Sequence, residues 1–82
     1  MQLEPAKPML DILKEKIETA LSGASVEILD PRHDGVHLEA VVVWSGFSEL
    51  SLVDRHRAVY AAVQNLLDSG ELHALSIKTK LE

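Results

Sequence analysis

Apolar residues recur at helical spacing in two stretches of the chain and crowd into strand-like runs in three others. Met9 and Leu10 are followed by Leu13, Ile17, Ala20 and Leu21 at steps of three and four, while Asp11, Lys14, Glu15, Lys16 and Glu18 take the other side. That stripe predicts an amphipathic helix. Pro8 suits its first turn, where a missing N–H costs nothing, and Gly23 provides a left-handed stop. Residues 1–7 show no periodicity and read as a loose arm, so the expected domain runs over residues 8–80. Ser25 to Asp30 holds Val26, Ile28 and Leu29 and predicts a short strand. Asp30-Pro31-Arg32-His33-Asp34-Gly35 reads as a turn, because Pro presets one dihedral and Gly permits a positive one. Val36 to Trp44 is rich in β-branched residues and predicts a central strand, joined to the first as an antiparallel hairpin.

Ser45 to Leu50 reads as a connector. Ser51 is a helix N-cap candidate, with Asp54 three residues on, near the positive helix end. Val53, His56, Val59, Tyr60, Val63, Leu66 and Leu67 then repeat at helical spacing until Gly70. Leu72 to Thr79 alternates as a last strand. A long helix separates it from the strand before, so a parallel or mixed pairing is expected. The fold class is α+β, in the order αββαβ: a three-stranded mixed sheet with the helices on one face. The expected core is Leu13, Ile17, Leu21, Val41, Val43, Val59, Val63, Leu66, Leu67, Leu75 and Ile77.

Composition narrows the function. The 82 residues suit one domain, and the absence of cysteine removes disulfides, thiolate zinc sites, thiol nucleophiles and any self-contained all-cysteine iron–sulfur site. The net charge of -5 and pI near 5.2 do not suit a basic nucleic-acid binder. No apolar run nears the roughly 18–20 residues that span a membrane, and the start lacks a cationic, apolar signal pattern. A cytoplasmic protein is expected. Leu81-Glu82 has the look of a vector-derived junction and carries no weight.

Glycine-rich phosphate loops, His-Glu-x-x-His and Cys-x-x-Cys are all missing, and no serine sits at a strained elbow. Catalysis is not expected. The candidate chemistry lies in His33, His37, His56 and His73, since neutral imidazole is a common metal ligand. His33 in the turn and His37 and His73 at strand starts are placed so that two or three can meet at one sheet end; the plainer alternative is part-buried histidines held by hydrogen bonds. Arg55 and Arg57, extended by Lys78 and Lys80, form a candidate anion or nucleic-acid patch at a helix start; the plainer alternative is a solvated helix face. Trp44, Phe47 and Tyr60 suit packing better than base stacking.

The run Val53-Asp54-Arg55-His56-Arg57-Ala58-Val59-Tyr60, with His73-Ala74-Leu75-Ser76-Ile77-Lys78-Thr79, resembles the BolA family. His37-Leu38-Glu39-Ala40-Val41-Val42-Val43, followed by Phe47, is similar to that family's central strand, and the likeness covers residues 9–79. Glu49 stands where the family often has glycine, and the loop after the first strand is short. The resemblance implies a class II KH-like fold without a Gly-x-x-Gly loop. It implies pairing with a monothiol glutaredoxin bearing Cys-Gly-Phe-Ser, in iron–sulfur and iron homeostasis. A 2Fe–2S cluster would be shared with that partner and its glutathione, and none would be bound by this chain alone. His73 falls at the family's histidine ligand. The second ligand is assigned to His33, in the turn, with His37 as the alternative. The resemblance also implies a second reading: a DNA-binding regulator of growth, morphology and stress genes, using Arg55, Arg57, Lys78 and Lys80. The chain alone is expected to be a monomer or weak homodimer.

Overall fold

The computed structural model describes residues 9–81, so the arm over residues 1–7, Pro8 and Glu82 lie outside the described residues. The elements run α1 (Met9–Ala20), β1 (Ser25–Leu29), β2 (His37–Val43), a 3-10 turn (Ser45–Glu49), α2 (Leu52–Ser69) and β3 (Ala74–Lys80). The sheet order is β1-β2-β3. β1 pairs antiparallel with β2, and β2 runs parallel to β3 with His37 opposite Ala74 and Val43 opposite Lys80. The mixed sheet and αββαβ order are those the sequence predicts. The parallel pair exists because α2 carries the chain back to the end at which β2 began.

Local chemistry accounts for the element ends. The Asp54 amide donates to Ser51 Oγ at 3.1 Å, the N-cap bond expected of that serine. Gly70 takes φ 83 at the other end of α2, and its amide donates to the Leu67 carbonyl. The Leu72 amide donates to Leu66 O at 3.1 Å, which turns the chain inward so that Leu72 is buried before β3 starts. Leu72 therefore belongs to the loop, and the last strand is shifted toward the C-terminus.

Both helices cover one sheet face. Leu13, Ile17, Val59 and Val63 are fully buried against Val26, Leu38, Ala40, Val42 and Leu75. Ser25, Glu27, Ala74, Ser76 and Lys78 are exposed on the other face. Four expected core residues are corrected. Val41, Val43, Leu67 and Ile77 are only half-buried, while Leu38, Ala40 and Val42 occupy the core. Ala40 to Val43 is apolar at every position, so the run carries no phase of its own; Glu39 facing outward sets it. Val53 is 59% exposed, and His56 is exposed too, so the buried stripe of α2 begins only at Val59.

The connector between β2 and α2 is a 3-10 turn that drops Phe47 into the core, fully buried. Its ring meets Trp44 edge-to-face, with centroids 5.3 Å apart. A Cβ at Gly46 would lie 2.5 Å from the Trp44 indole, so this close approach needs glycine.

Two stability predictions follow from the corrected core. Phe47→Ala should cost ~3–5 kcal/mol in chemical denaturation. Val42→Ala should cost clearly more than Val41→Ala; equal losses at the two positions would contradict the assigned β2 face.

Candidate metal-ligating site

Parallel strands start at the same end of a sheet, and here each start carries a histidine. His37 is the first residue of β2, and His73 immediately precedes β3. The Val36 carbonyl accepts from both the His73 amide at 2.9 Å and the Ala74 amide at 3.1 Å. That backbone pin holds the two positions side by side. Their rings meet edge-to-face, centroids 5.5 Å apart at 87°. His73 is exposed and His37 half-buried.

The connection ahead of β2 is built by two aspartates. Asp30 Oδ1 accepts from the Asp34 amide and Oδ2 from the Gly35 amide, at 3.2 and 3.0 Å. Asp34 Oδ1 in turn accepts from the amides of Val36 (3.0 Å) and His37 (2.9 Å). Asp34 Oδ2 meets His37 Nδ1 at 2.7 Å. The amides of Val36 and His37, with the His37 ring, hold the Asp34 carboxyl well below the usual carboxylate range. An ionised carboxylate only accepts, so Asp34 Oδ2 is placed to receive a proton from His37 Nδ1.

His33 sits in the same turn, exposed, at φ 57. Its amide donates to Asp30 O at 3.1 Å, and among the described residues its ring has no ion pair or ring contact. The structure thus brings His37 to His73 and leaves His33 apart on the turn. Among the described residues no group of three or more His, Asp or Glu side chains gathers to hold a metal ion. Two adjacent imidazoles fit the chemistry of a shared site: nitrogen donors for part of a coordination sphere, the rest coming from elsewhere.

The cationic residues do not assemble into one patch. Arg55 Nε donates to the carbonyls of Phe47 and Leu50, both at 3.0 Å, and so ties the 3-10 turn to α2. Arg57 stands 3.6 Å from Asp54 across exposed surface. Lys78 pairs with Glu39 at 3.0 Å. Lys78 and Lys80 project from the sheet face opposite the helices, whereas Arg55 and Arg57 belong to the helical layer. Sequence reasoning missed the roles of Asp30, Asp34 and Arg55. The signal for Asp34 was present: an aspartate two and three residues ahead of free strand-opening amides is an Asx-turn former.

Two measurements check this geometry. The Asp34 carboxyl, followed by carbon chemical shift, should titrate below the ordinary aspartate value of about 3.9. Its depressed folded value makes the turn's contribution to stability complete above about pH 4 and lost as pH falls further; a midpoint at or above 3.9 would overturn the bond set. Arg55→Ala should destabilise the domain by about 1–3 kcal/mol, because the Leu50 carbonyl loses its donor, while Phe47 O keeps the Leu50 amide. Arg57→Ala should stay within about 0.5 kcal/mol of wild type.

The fold and the paired histidines invite comparison with known proteins. The family model described as BolA-like protein matches residues 10–82. BolA-like protein 1 of Mus musculus is 33% identical over 92% of this chain, which spans 59% of that relative's length. The structure of BolA1 from Arabidopsis thaliana superposes with a TM-score of 0.80 at 34% identity, covering 93% of this chain and 94% of that one. The BolA domain of SufE1 from the same plant gives 0.76 at 36% identity, over 94% and 95%. A match along almost the whole chain, with the same strand and helix order beneath it, makes this protein a member of the BolA family.

Proposed function

We propose that this chain is a BolA-type accessory protein that pairs with a monothiol glutaredoxin and contributes imidazole nitrogens to a 2Fe–2S cluster held between the two, in iron–sulfur and iron homeostasis. The observation that carries the reading is the pair His37 and His73, side by side at the start of two parallel strands. His73 is exposed and so accessible to a partner. The reading takes His73 and His37 as donors, in place of His33, because His37 is already beside His73 and its ring is held by a carboxylate. Metal-ligating histidines commonly have such a carboxylate behind them.

The absence of cysteine supports shared ligation over autonomous binding. Thiolates, with glutathione, would come from the glutaredoxin. When bound, a cluster with histidine ligands carries less negative charge than an all-thiolate one and has a higher reduction potential. This chain's own residues set two imidazoles side by side, His37 held by Asp34 and His73 exposed. The reading assigns the chain no catalysis. Among the described residues no helix is long and apolar enough to cross a membrane, which suits a cytoplasmic partner pair.

The experiment is a mixture of the protein with cluster-loaded monothiol glutaredoxin, followed by visible absorption and circular dichroism. Wild type should give a heterocomplex spectrum distinct from that of the glutaredoxin alone. His73→Ala and His37→Ala should each change or abolish it with the fold retained, and His33→Ala should leave it as in wild type. Wild-type spectra from all three variants would rule out histidine ligation by this chain.

A further inference from the structure

The turn ahead of β2 has a feature that hairpin formation does not require. A carboxylate already engaged by two backbone amides turns its remaining oxygen onto the ring of the residue that opens the strand. We infer that Asp34 is a positioning residue, which holds His37 in its Nδ1–H tautomer and thereby presents Nε2 as the donor atom at the paired-histidine site. The inference rests, for its consequence, on ligation by His37.

Three observations carry it. Asp34 Oδ2 lies 2.7 Å from His37 Nδ1, in the range of a charge-assisted bond. Asp34 Oδ1 is occupied by the amides of Val36 and His37, so the carboxylate cannot swing away without breaking the turn. Asp30 holds the main chain of Asp34 and Gly35 from behind, which fixes the direction from which the carboxylate reaches the ring. In a neutral imidazole one nitrogen bears the proton and the other the lone pair, and the partner of one nitrogen decides the state of the other. With an acceptor at Nδ1, the proton sits there and the lone pair sits on Nε2. The same contact fixes the ring plane beside His73. His73 has no such partner among the described residues, so the two histidines divide the work: one is preset, the other adjusts.

The test is Asp34→Asn. Asparagine keeps one oxygen for the amides of Val36 and His37, so the turn survives. Its amide group replaces the acceptor facing Nδ1 with a donor, and flipping the side chain would set that donor against the two backbone N–H groups. The substitution should therefore drive the His37 proton to Nε2. Long-range proton–nitrogen correlation spectra of the free protein, recorded where the ring is neutral, read the tautomer without any partner or cluster. Wild type should show Nδ1–H and Asp34→Asn should show Nε2–H. Nε2–H in wild type, or an unchanged tautomer in the variant, overturns the inference, and the wild-type result needs no variant to fold.

Mixed with cluster-loaded glutaredoxin, Asp34→Asn should lose the heterocomplex signal to the same degree as His37→Ala. A wild-type signal from Asp34→Asn, beside a lost signal from His37→Ala, overturns the role of Nε2 as donor. A wild-type signal from His37→Ala itself overturns ligation by His37 and with it the consequence drawn here, while the tautomer spectra still decide what Asp34 does to the ring.

Discussion

The parallel pairing of β2 with β3 is the constraint on which the rest of this molecule depends. Antiparallel partners would carry their opening residues to opposite ends of the sheet. Parallel ones bring them together, and here that places His37 opposite Ala74, with His73 one residue before it. The pairing also requires a crossover, which α2 supplies, and a crossover helix must lie on a sheet face. α2 therefore both returns the chain to the histidine end and closes the core over Leu38, Ala40 and Val42. The Tyr60 hydroxyl donates to Leu75 O at 2.7 Å, so the helix also holds the strand that follows the histidine.

Around this pairing, polar side chains do the work that a small core cannot. Asp30 and Asp34 take up four amides of the turn and strand start between them, and Arg55 Nε donates to Phe47 O in the 3-10 turn and to Leu50 O just after it. Both devices answer the same demand, that backbone groups outside regular structure find partners. The first leaves one carboxylate oxygen over, and that oxygen meets a histidine. The second consumes the Nε donor of a residue whose charge suggested nucleic acid.

Charge is distributed in the same spirit. A net charge of -5 already argued against a phosphate-led binder. The sheet then divides the cations, with the lysines of β3 on its open face and the arginines of α2 in the helical layer. Lys78 and Arg57 each stand beside a carboxylate. What this leaves at the histidine end is an exposed His73 beside a half-buried His37.

The sequence by itself determined the element order, the caps at Ser51 and Gly70, the hairpin and the mixed sheet, because each rests on local periodicity or on one residue's backbone preference. The resemblance over Val53–Tyr60 and His73–Thr79 added the family and marked His73. The phase of β2 was less legible, since Ala40 to Val43 is apolar on both faces and only Leu38 and Glu39 break the tie. The placement of Phe47 in the core and of Leu72 ahead of the strand depended on a 3-10 turn and a helix cap that bend the chain inward. Which histidine stands beside His73 was decided by tertiary structure alone. His33 lies in the turn and His37, four residues on, opens β2, and sequence distance to residue 73 does not separate them. The Val36 carbonyl, shared by His73 and Ala74, does separate them, because strand register is a contact between distant parts of the chain.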